Sequence, residues 1–239
     1  MVIGDEIVFA FKDAYDKKKG GFHPERAAHE IANSLGKPNK ASHIESILMN
    51  PQPVLYRDVL PFFSAILTNP QFSHHSVKVW TEGEESVSEY IGYQEIKLIN
   101  SGLVSALDIY TNGQIPLKQL LDIQEDKCGI QLEEELETMK ALGFIGVYID
   151  DKESKLKTVQ KTARDKRSSV ICYQIHRFPD DRSLWNSELN HINSLADIDL
   201  DSFKHIPVAW RVDADNTLFD HERVKRVLTD DLMDWYNTE

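Results

Sequence analysis

Residues 208–220 read Val208-Ala209-Trp210-Arg211-Val212-Asp213-Ala214-Asp215-Asn216-Thr217-Leu218-Phe219-Asp220. The first five, mostly apolar, predict a strand covered on both faces, and the strand runs directly into carboxylates at 213 and 215. In an open parallel sheet, ligands collect beyond the carboxyl ends of the strands, so the residues that end each strand can converge from distant positions in the chain. A carboxylate in that place can attack phosphorus and become an aspartyl-phosphate. A second carboxylate two residues on can protonate a leaving oxygen and later take a proton from water. Two such oxygens close together also suit a hard Mg²⁺ ion. Read without chemistry, the same string is an Asp/Asn-rich turn capping the helix that follows.

Upstream, from Pro53 onward, strands and helices alternate. Val77–Trp80 reads as a strand, Gln94–Ser101 as a helix stopped by Gly102, and Leu132, Leu136 and Met139 as the stripe of a helix stopped by Gly143. Phe144–Ile149 is a near-continuous apolar run, and Val170–Ile175 is a further strand. This alternation predicts an α/β fold, a Rossmann-like parallel sheet with helices on both faces. The two ends of the chain read differently. Val8, Phe11 and Tyr15 share one face of a Glu6–Tyr15 helix. Ala28, Ile31, Ala32 and Leu35 form the stripe of a second helix, with Pro24 in its first turn and Gly36 and Pro38 closing it. Ser42–Met49 makes a third, and Val224, Val227, Leu228, Leu232 and Trp235 mark an amphipathic helix after Asp220. The expected division is an α/β core over 52–220 and a small all-helical cap from 1–51 and 221–239. The aromatic residues Phe9, Phe11, Tyr15, Phe22, Trp235 and Tyr236 are expected to serve mostly as cap core.

Two other strand ends are polar in a telling way. Thr81-Glu82-Gly83 puts a hydroxyl at the end of the Val77–Trp80 strand, although Thr before a turn is also common on structural grounds. Asp150-Asp151-Lys152 sets two adjacent carboxylates at the end of a buried strand, which is costly without a cation because like charges disfavour joint ionisation. The alternative there is a cap for a helix starting near Glu153.

Taken together, these strings resemble the motifs of the haloacid dehalogenase-like hydrolases. Asp213-x-Asp215-Asn216-Thr217-Leu218-Phe219-Asp220 is similar to the first motif, Thr81-Glu82-Gly83 to the second and Asp150-Asp151 to the fourth. The resemblance implies a Mg²⁺-dependent phosphohydrolase that works through an aspartyl-phosphate on a small phosphorylated substrate. Asp213 would be the nucleophile and Asp215 the general acid and base. Thr81, with Glu82 and Gly83, would meet the phosphoryl group. Asp213, the Asp215 backbone carbonyl, and Asp150 or Asp151 would hold the metal. The family's third motif is a lysine that neutralises phosphoryl charge. Lys127 fits it, preceding the helix that leads into the Asp150 strand, with Lys118 in reserve. The motif order here is circularly permuted: cap, Thr81, Lys127, Asp150-Asp151, then Asp213 and Asp215. Moving residues 207–239 ahead of Met1 restores the family's order, a rearrangement that exposed loop tips tolerate. Two other classes stay open, a receiver-like phospho-aspartate signalling module and a non-catalytic binding protein that kept the fold.

Composition sets the outer bounds. The chain has 239 residues with a formal net charge of -12, which argues against a nucleic-acid-backbone binder. It does not argue against a small phosphorylated ligand met by local lysines and a metal. Two cysteines, Cys128 and Cys172, are too few for a disulfide framework. With no apolar run of about 20 residues to enter a membrane and no secretory pattern at its start, the chain is expected to be cytoplasmic. His74-His75 reads as a strand pair pointing to opposite faces, hence as surface histidines and not a metal site.

Overall fold

The computed structural model describes residues 9, 11, 22–83, 91–177 and 188–238. Six strands, β1 (Ser76–Glu82), β2 (Leu121–Gln124), β3 (Ile145–Asp150), β4 (Val170–Ile175), β5 (Asn190–Ile192) and β6 (Val208–Val212), form one sheet in the order β2-β1-β6-β3-β4-β5. Every pairing is parallel. The strand latest in sequence is therefore central, with β1 on one side and β3 on the other, as the sequence predicts for residues bearing Thr81, Asp150 and Asp213. The short strands β2 and β5 were not expected from the sequence, and β3 is shifted one residue so that Asp150 itself belongs to the ladder.

Both faces of the central strands are buried, and the period of two sorts their side chains between two cores. Val147 and Ile149 of β3, with Val208, Trp210 and Val212 of β6, enter one core; Tyr148 and Ala209, one residue out of phase, enter the other. The second core is closed by α7 (Ile130–Ala141), through Leu132, Leu136 and Met139, and by α8 (Glu153–Lys166), through Leu156, Val159 and Ala163. On the first face lie α3 (Val59–Thr68), α4 (Tyr93–Asn100), α5 (Leu103–Thr111) and the short α6 (Leu117–Leu120). Helix α3 is apolar nearly all round, which leaves it without helical periodicity in the sequence. Arg211, the one charged side chain within β6, is buried and donates from Nε to Glu135 of α7 at 2.6 Å.

The remaining helices form a layer of their own. Helix α1 (Pro24–Ser34) packs on α2 (Ala41–Leu48), and α9 (His221–Thr238) packs on α2. Ala28, Ile31, Ile44, Leu48, Val224, Leu228 and Leu232 are fully buried and share one continuous apolar core with the sheet. Phe11, Phe22 and Trp235 are buried in it as expected, whereas Phe9 is exposed. The Glu6–Tyr15 helix is represented only by Phe9 and Phe11, both helical; its other residues, Tyr15 among them, lie outside the described residues. Among the described residues, no helix is long and apolar enough to cross a membrane.

His74 and His75 are not strand residues but sit in the turn before β1. The His75 ring is half-buried and fixed at both nitrogens. Trp210 Nε1, which can only donate, lies 3.1 Å from Nδ1, so Nε2 carries the proton and donates to the Phe203 carbonyl at 3.1 Å. Burial lowers the His75 pKa, partly offset by the Phe203 hydrogen bond. The unfolded chain then binds more protons than the folded one below pH ~6.5. This contribution to stability is full above that value and falls as the pH drops through the folded pKa. Urea unfolding midpoints measured from pH 8 to 5 should therefore decline less steeply in His75→Gln than in the parent.

A second buried polar contact joins α3 to the segment after β5. Asp58 Oδ2 accepts from Arg177 Nη1 at 2.6 Å, Ser194 Oγ at 2.7 Å and the Leu195 amide at 2.6 Å. Arg177 also donates from Nε and Nη2 to the Thr217 carbonyl, inside the turn that follows β6, and lies over the Tyr56 ring. Arg177→Met leaves Asp58 without its buried counter-charge, which should cost about 3 kcal/mol, read as a lower urea midpoint at unchanged m-value.

Candidate functional site

The carboxyl ends of β1, β6 and β3 lie side by side, and each ends in a polar group. Thr81 is buried at the end of β1, Asp213 follows β6, and Asp150 closes β3. The Asp213 amide donates to the Ile149 carbonyl at 2.8 Å, so the β3–β6 ladder continues into the site and sets the position of Asp213.

Between the carboxylates lies Lys127, on the loop that enters α7. Its side chain is buried; Nζ donates to Asp150 Oδ2 at 2.6 Å and Asp213 Oδ1 at 2.5 Å, and stands 4.5 Å from the centre of the Trp80 ring. Burial acts to lower the ammonium's pKa, but the two carboxylates outweigh it and hold the group above its usual value. Asp213 is shifted upward too. Burial, with Asp150 and Asp215 nearby, raises it to about 7 against the pull of Lys127. Lys118, the reserve candidate for this role, is exposed on α6.

Asp151 completes an acidic group: one oxygen each of Asp150, Asp151 and Asp213 lie within 4.8 Å of one another. Both oxygens of Asp150 are engaged, Oδ2 by Lys127 and Oδ1 by the Lys152 amide at 2.7 Å. Asp151 Oδ2 accepts from Asn216 Nδ2 at 3.2 Å. That leaves Asp213 Oδ2 and Asp151 Oδ1 buried without a hydrogen-bond partner among the described residues. Burial and the charge of Asp213 push the Asp151 pKa up. Two orphaned carboxylate oxygens in a group of three acids served by one buried ammonium are the donor set a hard divalent cation takes. Asp213 and Asp151, with their partnerless oxygens, could hold such a cation; Asp150, with both oxygens engaged, is less well placed.

The turn 213–219 holds this geometry from the other side. Asn216 adopts a left-handed conformation, φ 58°, which Asn tolerates better than most residues, and its amide donates to the Phe219 carbonyl at 2.9 Å. Leu218 and Phe219 are fully buried, and the Tyr56 amide donates to the Leu218 carbonyl at 2.9 Å. Asp220 Oδ1 accepts the Arg223 amide at 2.9 Å, so the helix-capping reading of this string applies to Asp220.

Asp215 faces a separate set of groups. Lys97 Nζ donates to Oδ1 at 2.6 Å, Gln94 Nε2 donates to Oδ2 at 3.1 Å, and His221 Nδ1 lies 3.3 Å from Oδ1. Burial would raise the Asp215 pKa, but Lys97 and His221 outweigh it and hold the carboxyl well below its usual range. Gln94 Nε2 also lies 2.9 Å from Thr81 Oγ1 and ties the two groups together. Gly83 makes room for this: a Cβ there would come within 2.8 Å of Gln94 Cβ. The Gly83 amide itself donates to the Gln124 carbonyl, and the Glu82 carboxylate is held by Lys155 Nζ. Lys97 and Gln94 were missed in the sequence because they lie inside an amphipathic helix, where a buried lysine looks like any solvated one. The only available signal was their spacing of three, which puts both on one helical face.

Comparison with protein-family models, with curated proteins and with solved structures gives no match to this chain.

Proposed function

We propose that this chain is a Mg²⁺-dependent phosphohydrolase that acts through an aspartyl-phosphate on a small phosphorylated substrate. The observation that carries the proposal is the buried Lys127 bridging Asp150 and Asp213, beside two carboxylate oxygens that have no partner. A purely structural ion pair has no use for the extra acid. A site for an anionic phosphoryl group and its counter-ion does.

In this reading an Asp213 oxygen attacks phosphorus. The new oxygen–phosphorus bond forms as the bond to the leaving oxygen breaks, and that oxygen takes its proton from Asp215. Water then attacks the same phosphorus and gives a proton to Asp215. The bond to Asp213 breaks, releasing phosphate and restoring the carboxylate. Asp215, which Lys97 and His221 hold as a carboxylate before the substrate arrives, gains the proton it donates from the phosphomonoester monoanion, and it returns to the carboxylate when the proton it takes from water passes to solvent. Lys127 offsets the charge of Asp213 and Asp150, which lets an anionic group approach. Thr81 Oγ1, buried next to Gln94, is the hydroxyl available to orient that group. Asp213, Asp151 and the Asp215 carbonyl would hold Mg²⁺, which would supply further neutralisation of the phosphoryl oxygens.

Phosphate release across a panel of phosphorylated metabolites tests this reading, with calorimetry for the metal. Asp213→Asn should abolish turnover with the fold intact by circular dichroism, because the amide keeps the shape without the nucleophile; substantial residual activity would overturn the assignment. Asp215→Asn should lower kcat by about 10²–10⁴ through loss of proton transfer. Excess chelator should abolish activity and Mg²⁺ restore it, and Asp151→Asn should weaken Mg²⁺ binding by calorimetry more than it disturbs the unfolding midpoint.

A further inference from the structure

The geometry points to Lys97 and Gln94 of α4 as positioning residues that hold Asp215 in its working orientation; this rests on the phosphohydrolase reading above. Lys97 is a long cationic side chain with only 2% of its surface exposed, whereas Asp215 is 23% exposed. Of the pair, the carboxylate is the more accessible and the ammonium is almost fully enclosed, so Lys97 acts through Asp215 in this reading. Its stem passes the aromatic rings of Tyr93 and Phe219, with Nζ 5.6 and 5.4 Å from their centres, which leaves it little freedom to turn elsewhere.

The two donors divide the carboxylate between them. Lys97 takes Oδ1 at 2.6 Å and Gln94, one helical turn earlier, takes Oδ2 at 3.1 Å, so the plane of the carboxylate is fixed by two contacts from one helix. Gln94 Nε2 reaches Thr81 Oγ1 as well, at 2.9 Å, so the same helix sets the distance between the proton-transfer group and the hydroxyl. Burying an ammonium is costly and is offset only by a well-placed partner. The neighbouring pair of Lys127 with Asp150 and Asp213 already neutralises the nucleophile end. A second buried lysine devoted to Asp215 alone is more than packing needs; an apolar side chain would fill that place at less cost.

The test uses Lys97→Met and Gln94→Leu in the full chain, alone and combined with Asp215→Asn. If α4 positions Asp215, Lys97→Met lowers kcat by about 10²-fold, the cost of a displaced catalytic group, with KM within a few-fold and Mg²⁺ binding unchanged by calorimetry. Gln94→Leu gives a smaller loss of the same kind. In the Asp215→Asn background, Lys97→Met produces no further loss. A kcat for Lys97→Met within twofold of the parent, or an equal loss in both backgrounds, overturns the proposal. Crystal structures of the parent and Lys97→Met provide a readout independent of turnover: Asp215 should rotate toward solvent in the variant, and an unchanged carboxylate overturns the proposal even if no substrate is found. Inactivity of the parent on every phosphorylated compound with Mg²⁺ counts against the phosphohydrolase reading itself and is seen before any variant is made.

Discussion

A single ammonium group, Lys127 Nζ, is the constraint around which this site is arranged. Carboxylates at the ends of β3 and β6 are buried and close together, and without a cation between them their repulsion would oppose the adjacency that the β3–β6 ladder imposes. Lys127 removes that conflict at 2.6 and 2.5 Å, but only by giving up its own hydration. Such a triad adds little to net stability; losing one member leaves an uncompensated buried charge and costs far more. The arrangement is therefore all-or-none. Once the sheet has formed in its observed order, the charges have essentially one place to be, which is the preorganisation that electrostatic catalysis requires.

The turn after β6 shows how the scaffold carries that constraint outward. Its backbone is bound from three directions: by Ile149 through the Asp213 amide, by Tyr56 through the Leu218 carbonyl, and by Arg177 through the Thr217 carbonyl. Arg177 is in turn fixed by Asp58, which also receives Ser194 and the Leu195 amide. A left-handed Asn216 completes the bend and lends its side chain to Asp151. Each contact is ordinary alone. Together they fix Asp213 and Asp215 on rigid elements from three parts of the chain, the placement that the proposed proton and phosphoryl transfer would need.

How much of this was legible in the sequence depended on whether a residue's role is written along the chain or across space. The buried strands announced themselves, because Phe144–Ile149 and Val208–Val212 are apolar on both faces and end in acids; β6 was read to the residue and β3 to within one. Lys127 could be favoured over Lys118 from its place before α7, a matter of chain order. Lys97 and Gln94 could not be found that way, since a buried lysine differs from a solvated one only in what folds over it. Glu82 is marked by its place in the Thr81-Glu82-Gly83 string, but its ion pair with Lys155, a residue far along the chain, is not legible there. Strands β2 and β5, four and three residues long, are too short for periodicity to register.

The order of the sheet also constrains how the site comes into being. Strands β1 and β3 do not pair with each other; each pairs with β6, so the ladder that links the strand of Thr81 to the strand of Asp150 runs through residues 208–212. Every site group apart from Asp213, Asp215, Asn216 and His221 precedes that strand, and long-range parallel pairing is slow because loop closure precedes the contacts that reward it. Before β6 docks, Lys127 has Asp150 but not Asp213, and Lys97 has no carboxylate at all among the contacts it makes in the folded chain. The same event therefore closes the apolar core through Val208, Trp210 and Val212 and neutralises two lysines whose burial would otherwise be unfavourable. Folding and site assembly coincide in one strand, which explains why residues so far apart in sequence can be held at hydrogen-bond distance without any local motif to specify them.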